Sequence, residues 1–290
     1  MKKITLFIIN SSRPKFWVYL FGPFLLGYMF AFDFSSSTIL STEFLNNQDL
    51  VQLVLGLFYF LLPANLFLYG INDYHDFDTD MHNPKKGSKE VKLKSKDDIK
   101  KYLYISLAFF VIYLFILPTV TLKLLLILFL FLSYIYSSPP FRLKAKPIVD
   151  SSSNLLYFLP GVISYNLATG QLLPWYLWIS FFCWTFSMHL FSAVPDITAD
   201  KKANLFTTAI LFGYKKSLIL CGLMWFIFSA ILIYNFGLLL VPTLIYFIIP
   251  LLLVLKNDLD INNMYWRFPY INAFMGFLGF ILIVFRNFLL

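Results

Sequence analysis

Nine long apolar runs divide this chain, at roughly residues 16–32, 50–71, 102–118, 119–137, 152–168, 174–194, 216–236, 238–255 and 268–289. A helix crosses a bilayer with ~20 mostly apolar residues, so each run predicts a transmembrane helix or something close to one. The polar stretches between them are short. Pro118 and Gly237 mark very tight turns between neighbouring spans. Pro23, Pro63, Pro160 and Gly161 fall inside spans, which is tolerable where neighbouring helices satisfy the freed backbone groups. The expected fold class is therefore an all-α integral membrane protein, a bundle of about nine transmembrane helices.

Composition agrees. Of 290 residues, 59% are hydrophobic and 13% are charged, with a mean hydropathy of +0.74. A soluble domain has about 25% charged residues. Aromatics reach 20%, with 35 Phe, enough for lipid-facing belts and for apolar walls around a hydrocarbon ligand. Cys183 and Cys221 both lie inside apolar runs and read as small buried hydrophobes, not as a disulfide. The opening Met1-Lys2-Lys3 and the apolar stretch Ile4 to Ile9 resemble a leader only faintly. The stretch is short, and Arg13-Pro14 breaks it without a small-residue cleavage site.

The net charge of +8 does not point to nucleic acid, because the basic residues are scattered over short loops. They report topology instead. With nine spans, all of the 23 Lys and Arg except Lys123 and Arg286 fall on one side. The positive-inside rule puts that side, and the N-terminus, in the cytoplasm. The whole chain, 1–290, is expected to form one transmembrane domain, with 72–101 and 196–215 as cytoplasmic loops.

Two acidic clusters end on that same side. One is Asn72-Asp73-Tyr74-His75-Asp76-Phe77-Asp78-Thr79-Asp80; the other is Asp196-Ile197-Thr198-Ala199-Asp200. Carboxylates at the ends of membrane spans are costly and tend to mark function. If the second span continues as helix, Asn72, Asp76 and Asp80 are spaced i, i+4, i+8. Asp73 joins the same broad face, and Asp78 points elsewhere. Asp196 and Asp200 repeat the i, i+4 spacing. Like charges at this spacing repel by about 0.2–0.5 kcal/mol per pair, so a compensating cation is expected. Oxygen-only ligands favour Mg²⁺ or Mn²⁺ over zinc, and the EF-hand pattern is absent. A solvated helix end balanced by nearby lysines is the alternative for each cluster. Asp76 and Asp80 precede Asp196 and Asp200 by the same 120 residues, which hints at two pseudo-repeated halves.

Cations accompany the acids. Arg142, Lys144 and Lys146 sit on a short loop held by Pro139, Pro140 and Pro147. Arg offers phosphate a fork and Lys a point charge; plain topology signalling is the competing account. The Lys-rich stretch from Lys85 to Lys101 reads as a solvated loop or a lid. His75 and His82 read as loop residues. His189, inside the sixth span and two turns before Asp196, can hold a structural hydrogen bond or accept a proton.

These residues together resemble the UbiA superfamily of intramembrane prenyltransferases. Asn72, Asp73, Asp76 and Asp80 fit NDxxDxxxD, and Asp196 and Asp200 fit DxxxD. The run from Tyr136 to Pro147 fits YxSPPxRxKxxP. The resemblance covers nearly the whole chain. A narrower one, to the lycopene elongase branch that adds C5 units to carotenoid ends, rests on three stretches. They are Ser12-Arg13-Pro14-Lys15-Phe16-Trp17, Asn83-Pro84-Lys85-Lys86-Gly87, and His189 to Ile197. Two departures stand out: Ser192 replaces a Tyr common four residues before the second motif, and Asn204 replaces a Gly four residues after it. The first weakens the case for an aromatic acceptor. Asn tolerates the left-handed conformation better than most residues.

The resemblance implies nine helices and a Mg²⁺-dependent enzyme in a bacterial or archaeal cell membrane, with its active site facing the cytoplasm. Asp73, Asp76 and Asp80 would bind one Mg²⁺, and Asp196 and Asp200 another. Asn72, Arg142, Lys144 and Lys201 would bind the diphosphate of an allylic substrate such as dimethylallyl diphosphate. A lipophilic acceptor, lycopene or a related carotenoid, would enter from the bilayer, with His189 as a candidate proton acceptor. No protein partner is implied. Two rivals remain at this point: an aromatic, quinone-type or other isoprenoid-lipid acceptor, and a membrane transporter. A transporter would place its acids near mid-membrane on broken helices, not at helix ends on one side.

Overall fold

The computed structural model describes residues 2–31, 47–77, 91–202, 204–256 and 259–289. Asp78, Asp80, His82 and the lysines from Lys85 to Lys89 lie outside the described residues. All regular structure among the described residues is helical. The chain divides into two compact units, one made mainly of its first 141 residues with 159–171, the other of 142–158 and 172–282.

In the first unit, α1 (Lys2–Ser11) is followed by α2 (Val18–Ala31), α3 (Asn47–Leu61), α4 (Pro63–His75), α5 (Asp97–Ile116), α6 (Val120–Ser137) and α7 (Leu159–Thr169). The run at 50–71, expected as one helix, is two: Leu62 has φ −119° and ψ −62°, and Pro63 opens α4 at the position where its missing N–H costs nothing. The ladder crosses this break, because Leu62 N–H reaches Phe58 O at 3.1 Å and Leu66 N–H reaches Leu62 O at 2.9 Å. The Ser106 hydroxyl donates to the Pro63 carbonyl, tying α5 to α4. Thr119 caps α6 by accepting from Leu122 N–H at 3.2 Å, so the tight turn at Pro118 is realised.

Small residues set the closest approach. A Cβ on Gly27 of α2 would run into the backbone carbonyl of Gly161 on α7. One on Gly161 would sit 3.0 Å from the Pro23 carbonyl oxygen. Beside this crossing lies an aromatic core, with ring centroids 5.0 Å apart for Phe24–Phe60, 5.5 Å for Tyr59–Tyr113 and 5.3 Å for Phe60–Phe129.

The second unit starts with a 3-10 turn Leu143–Ala145, a single helical turn Val149–Ser152 and another 3-10 turn Ser153–Tyr157. Then come α8 (Trp175–Ala193), α9 (Ile197–Lys202), α10 (Thr208–Phe236), α11 (Ile245–Leu255) and α12 (Ile261–Leu289, the part to Leu282 lying here). Thr207 caps α10 and Asp260 caps α12; Asp260 accepts from the backbone N–H of Asn262 at 2.9 Å. That hydrogen bond, with the Asn262 side chain, holds the Asp260 carboxyl below its ordinary pKa. Gly213 (φ 72°) kinks α10 near its start, and Gly237 (φ 89°) ends it, both angles that suit a residue without Cβ. Serine hydroxyls stitch α8 to α10: Ser180 donates to Phe228 O at 3.2 Å and Ser187 to Cys221 O at 3.3 Å. Trp225 stacks on Phe268 at 5.2 Å, with Phe191 and Tyr246 beside them. Cys183 and Cys221 are buried free thiols.

Among the described residues, seven helices are long and apolar enough to cross a membrane. The expected runs at 16–32 and 152–168 appear instead as the shorter α2 and α7, each preceded by 3-10 turns. Pro14 and the Val149–Tyr157 turns take up residues that a single straight helix would have used. Many large apolar side chains are left exposed, Phe115 of α5 and Tyr234 of α10 among them, as lipid-facing positions require. The chain is a multi-pass integral membrane protein.

Candidate active site

The first acidic motif stands at the end of α4. The helix stops at His75, one turn earlier than a continuous i, i+4, i+8 face would need. Asp76 takes the capping position (φ −93°, ψ 5°), and its N–H still bonds Asn72 O at 2.9 Å. The i, i+4 relation between Asn72 and Asp76 therefore survives, and Asp80 lies outside the described residues. Asn72 and Asp76 are partly buried, whereas Asp73 is almost wholly buried.

Asp73 has a partner that the acidic pattern does not reveal. Arg13 Nη2 donates to Asp73 Oδ1 at 2.8 Å, and the guanidinium lies over the Tyr69 ring at 4.8 Å. The segment Ser12–Trp17 is built to deliver that side chain. Arg13 sits in the left-handed region (φ 52°) and Pro14 starts a 3-10 turn. The Trp17 indole N–H donates to Ser12 O at 3.1 Å and to Ser12 Oγ at 3.0 Å, closing the corner. Asn72 is fixed from the other side, where the buried Ser137 hydroxyl donates to its Oδ1 at 2.9 Å. Ser137 ends α6, at the start of the Tyr136–Pro147 motif.

In the second unit, α8 gives way after Ala193 to a 3-10 turn, Val194–Asp196, and then to α9. Asp196 is in the turn and Asp200 in α9, both partly buried. The chain turns back after Lys202: Leu205 N–H reaches Asp200 O at 2.9 Å, and Asn204 adopts φ 53°, the left-handed angle anticipated from its place after the motif. Lys201 is exposed on α9. Arg142 (φ 38°) heads the 3-10 turn that carries Lys144; both are partly buried, and Lys146 is exposed.

Behind this loop lies a group that the sequence reading did not single out. Asp150, fully buried, accepts from Ser151 N–H at 2.6 Å, from Thr208 N–H at 2.7 Å and from the Thr208 hydroxyl. Ile148 N–H in turn donates to Thr208 Oγ1 at 2.6 Å. The Ser151 hydroxyl is 3.1 Å from Nδ1 of His189. One signal was available: Asp150 is the only acidic residue between Asp98 and Asp196. An apolar cleft of about 460 Å³ lies elsewhere in this unit, lined by Pro242, Ile245, Tyr270, Ile271, Phe274 and Met275.

Among the described residues no three of His, Cys, Asp and Glu come together as a metal cage. Asp73 and Asp76 of the first motif stand in the first unit, and Asp196 and Asp200 of the second motif stand in the second. Residues 13–259 match the UbiA prenyltransferase family. The chain belongs to that family. As a UbiA protein it is a prenyltransferase, so the transporter reading falls away. Among curated relatives, the lycopene elongase/hydratase of Haloarcula japonica is 35% identical over 93% of this chain and 88% of that protein. The lycopene elongase/hydratase of Haloferax volcanii is 35% identical over 92% and 85%. Among solved structures, a UbiA homolog from Archaeoglobus fulgidus bound to GPP and Mg²⁺ superposes with a TM-score of 0.67 at 21% identity. It covers 96% of this chain and 99% of that one. The UbiA fold of this chain accords with the all-helical reading of its apolar runs.

Proposed function

We propose that this UbiA enzyme transfers a prenyl unit from an allylic diphosphate, dimethylallyl diphosphate in the first instance, to lycopene or a related carotenoid, releasing pyrophosphate. The observation that carries the acceptor is the 35% identity, over 93% of the chain, to a relative named lycopene elongase/hydratase. A second observation disfavours a quinone-type acceptor. Ser192 replaces the tyrosine common at its position, and its hydroxyl is turned back onto the His189 carbonyl at 2.7 Å.

The donor set fits a hard divalent cation. Asp73, Asp76, Asp196 and Asp200 offer only carboxylate oxygens, the ligands Mg²⁺ prefers, usually alongside water and substrate phosphates. Asp73, Asp76 and Asp80 would hold one ion, and Asp196 and Asp200 a second. A bound Mg²⁺ offsets the negative charge that builds on the departing diphosphate.

The chain's own residues do the rest. Arg142, Lys144 and Lys201 place positive charge against diphosphate oxygens, where it favours cleavage of the C–O bond. Asn72, with its Oδ1 engaged by Ser137, is set up to donate from its amide nitrogen to the diphosphate. Aromatic side chains in a dry pocket suit the allylic cation, since cation–π contacts are worth about 2 kcal/mol when desolvated. The alkene of the acceptor attacks this cation, forming the new C–C bond and leaving a tertiary cation. His189 then removes an adjacent proton, or water captures the cation instead. The charge bias of the loops supports an active site facing the cytoplasm.

The deciding experiment is expression in a lycopene-producing host, with mass analysis of the pigments. Carotenoids heavier by one or two C5 units are expected. Unchanged lycopene with the protein present in the membrane would overturn the carotenoid acceptor.

A further inference from the structure

The carboxylate of Asp150 has no place in the mechanism above, yet it is fully buried and accepts three hydrogen bonds, from Ser151 N–H, Thr208 N–H and the Thr208 hydroxyl. A fully buried carboxylate is an expensive way to join a loop to the start of a helix. A neutral Asn or Ser makes such joints routinely. What the carboxylate adds is negative charge, and the structure places that charge one residue from an imidazole.

We propose that Asp150 and Ser151 are positioning residues for His189. The inference rests on the reading of His189 as the proton acceptor that ends the reaction. Asp150 pins the backbone N–H of Ser151 at 2.6 Å, which sets the Ser151 hydroxyl 3.1 Å from His189 Nδ1. The Asn154 amide and the Ser153 hydroxyl both bond the Asp150 carbonyl at 2.9 Å, so the whole turn is held from behind. In the tautomer that this proposal requires, Nδ1–H donates to Ser151 Oγ and the imidazole lone pair lies on Nε2. This is the logic by which the partner on one ring nitrogen sets the role of the other. The carboxylate behind the serine then favours the imidazolium formed once a proton arrives.

The step balances as follows. After C–C bond formation, a C–H bond next to the cationic carbon breaks. Its electron pair becomes the new C=C bond, and its proton passes to Nε2. The proton then leaves to pyrophosphate or to water.

The test compares the purified wild type with His189→Gln, Ser151→Ala and Ser151→Thr, given lycopene and dimethylallyl diphosphate. It reads two quantities: the ratio of alkene to hydrated product, and the rate of pyrophosphate release in a single turnover. Ser151→Ala leaves both Asp150–Thr208 bonds intact, so the fold is preserved, and thermal melting checks this. The expected result is a fall in the alkene-to-alcohol ratio of about 10-fold in Ser151→Ala and more in His189→Gln. Pyrophosphate release stays unchanged in Ser151→Ala, and Ser151→Thr restores the ratio because it keeps the hydroxyl. A ratio altered by His189→Gln but not by Ser151→Ala would overturn the positioning role and leave His189 as acceptor. A ratio and turnover unaffected by His189→Gln would overturn both.

Discussion

Asp73 illustrates how much one side chain can owe to a distant segment. Its carboxylate is 3% exposed and its Arg13 partner 15%, so the pair is largely desolvated. Removing one member of such a pair leaves an uncompensated charge. Arg13→Ala is therefore expected to lower stability by about 3 kcal/mol, the lower end for breaking a buried ion pair. Mg²⁺ should recover part of that loss by supplying positive charge to Asp73. Thermal unfolding in detergent, with and without Mg²⁺, measures both effects; an Arg13→Ala protein as stable as wild type would refute the pairing. Asp76 and Asp196 behave differently, because neither is deeply buried. Asp76→Asn and Asp196→Asn should melt like the wild type while abolishing pyrophosphate release, since amides cannot replace carboxylates as anionic ligands. Retained turnover in both at saturating Mg²⁺ would remove them from the site. Asp76 and Asp196 were legible as a repeated spacing of acids in otherwise apolar sequence. Arg13 and Asp150 were not, because their partners lie 60 and 58 positions away and no local periodicity encodes such a pairing.

At the scale of elements, apolar length located the long helices but fixed their ends poorly, and it missed α1 and α9. The acidic motif was expected on one continuous face, yet α4 closes at His75 and Asp76 caps it. Pro63 was read as tolerated within a span, and the span from Leu50 to His75 does run through it, with a break at Leu62 that hydropathy does not show. Hydropathy has no term for either event, which depend on backbone angles. Glycine roles were hidden for a similar reason. The chain has 12 glycines, and only coordinates show that Gly27 faces the Gly161 carbonyl while Gly276 faces open space. In a bilayer, small residues allow helices to approach closely, and that packing replaces the hydrophobic drive available in water. Gly27→Leu must push α2 off α7 and is expected to cost about 3 kcal/mol, the upper end for overpacking. Gly276→Ala should be neutral or better by up to about 1 kcal/mol, the helix-propensity gain. Equal melting temperatures for these two variants would contradict the α2–α7 contact.

For the molecule as a whole, the open quantity is how many times the chain crosses the membrane. Seven helices satisfy length and hydropathy alone, and α2 and α7 fall short. An 11-residue helix such as α7 rises about 16 Å, roughly half of a ~30 Å hydrocarbon core. Yet the turns from Val149 to Tyr157 continue directly into it, and those with α7 make a passage of 21 residues from Val149 to Thr169. By the positive-inside rule, the distribution of basic residues predicts nine crossings. If 149–169 did not cross, the loop with Arg142, Lys144 and Lys146 would lie opposite the loop with Lys201 and Lys202, splitting the positive side that the rest of the sequence maintains. Nine crossings would keep both on the cytoplasmic face, where the proposed diphosphate would arrive while the proposed hydrocarbon acceptor entered from lipid. Single cysteines test this directly, since Cys183 and Cys221 are buried and do not compete. A membrane-impermeant maleimide should label Gln171→Cys and Asn235→Cys in intact cells. It should reach Lys92→Cys, Lys146→Cys and Lys201→Cys only after permeabilisation. Labelling of Lys146→Cys without permeabilisation would reverse the sidedness of its loop, and with it the entry route proposed for the diphosphate.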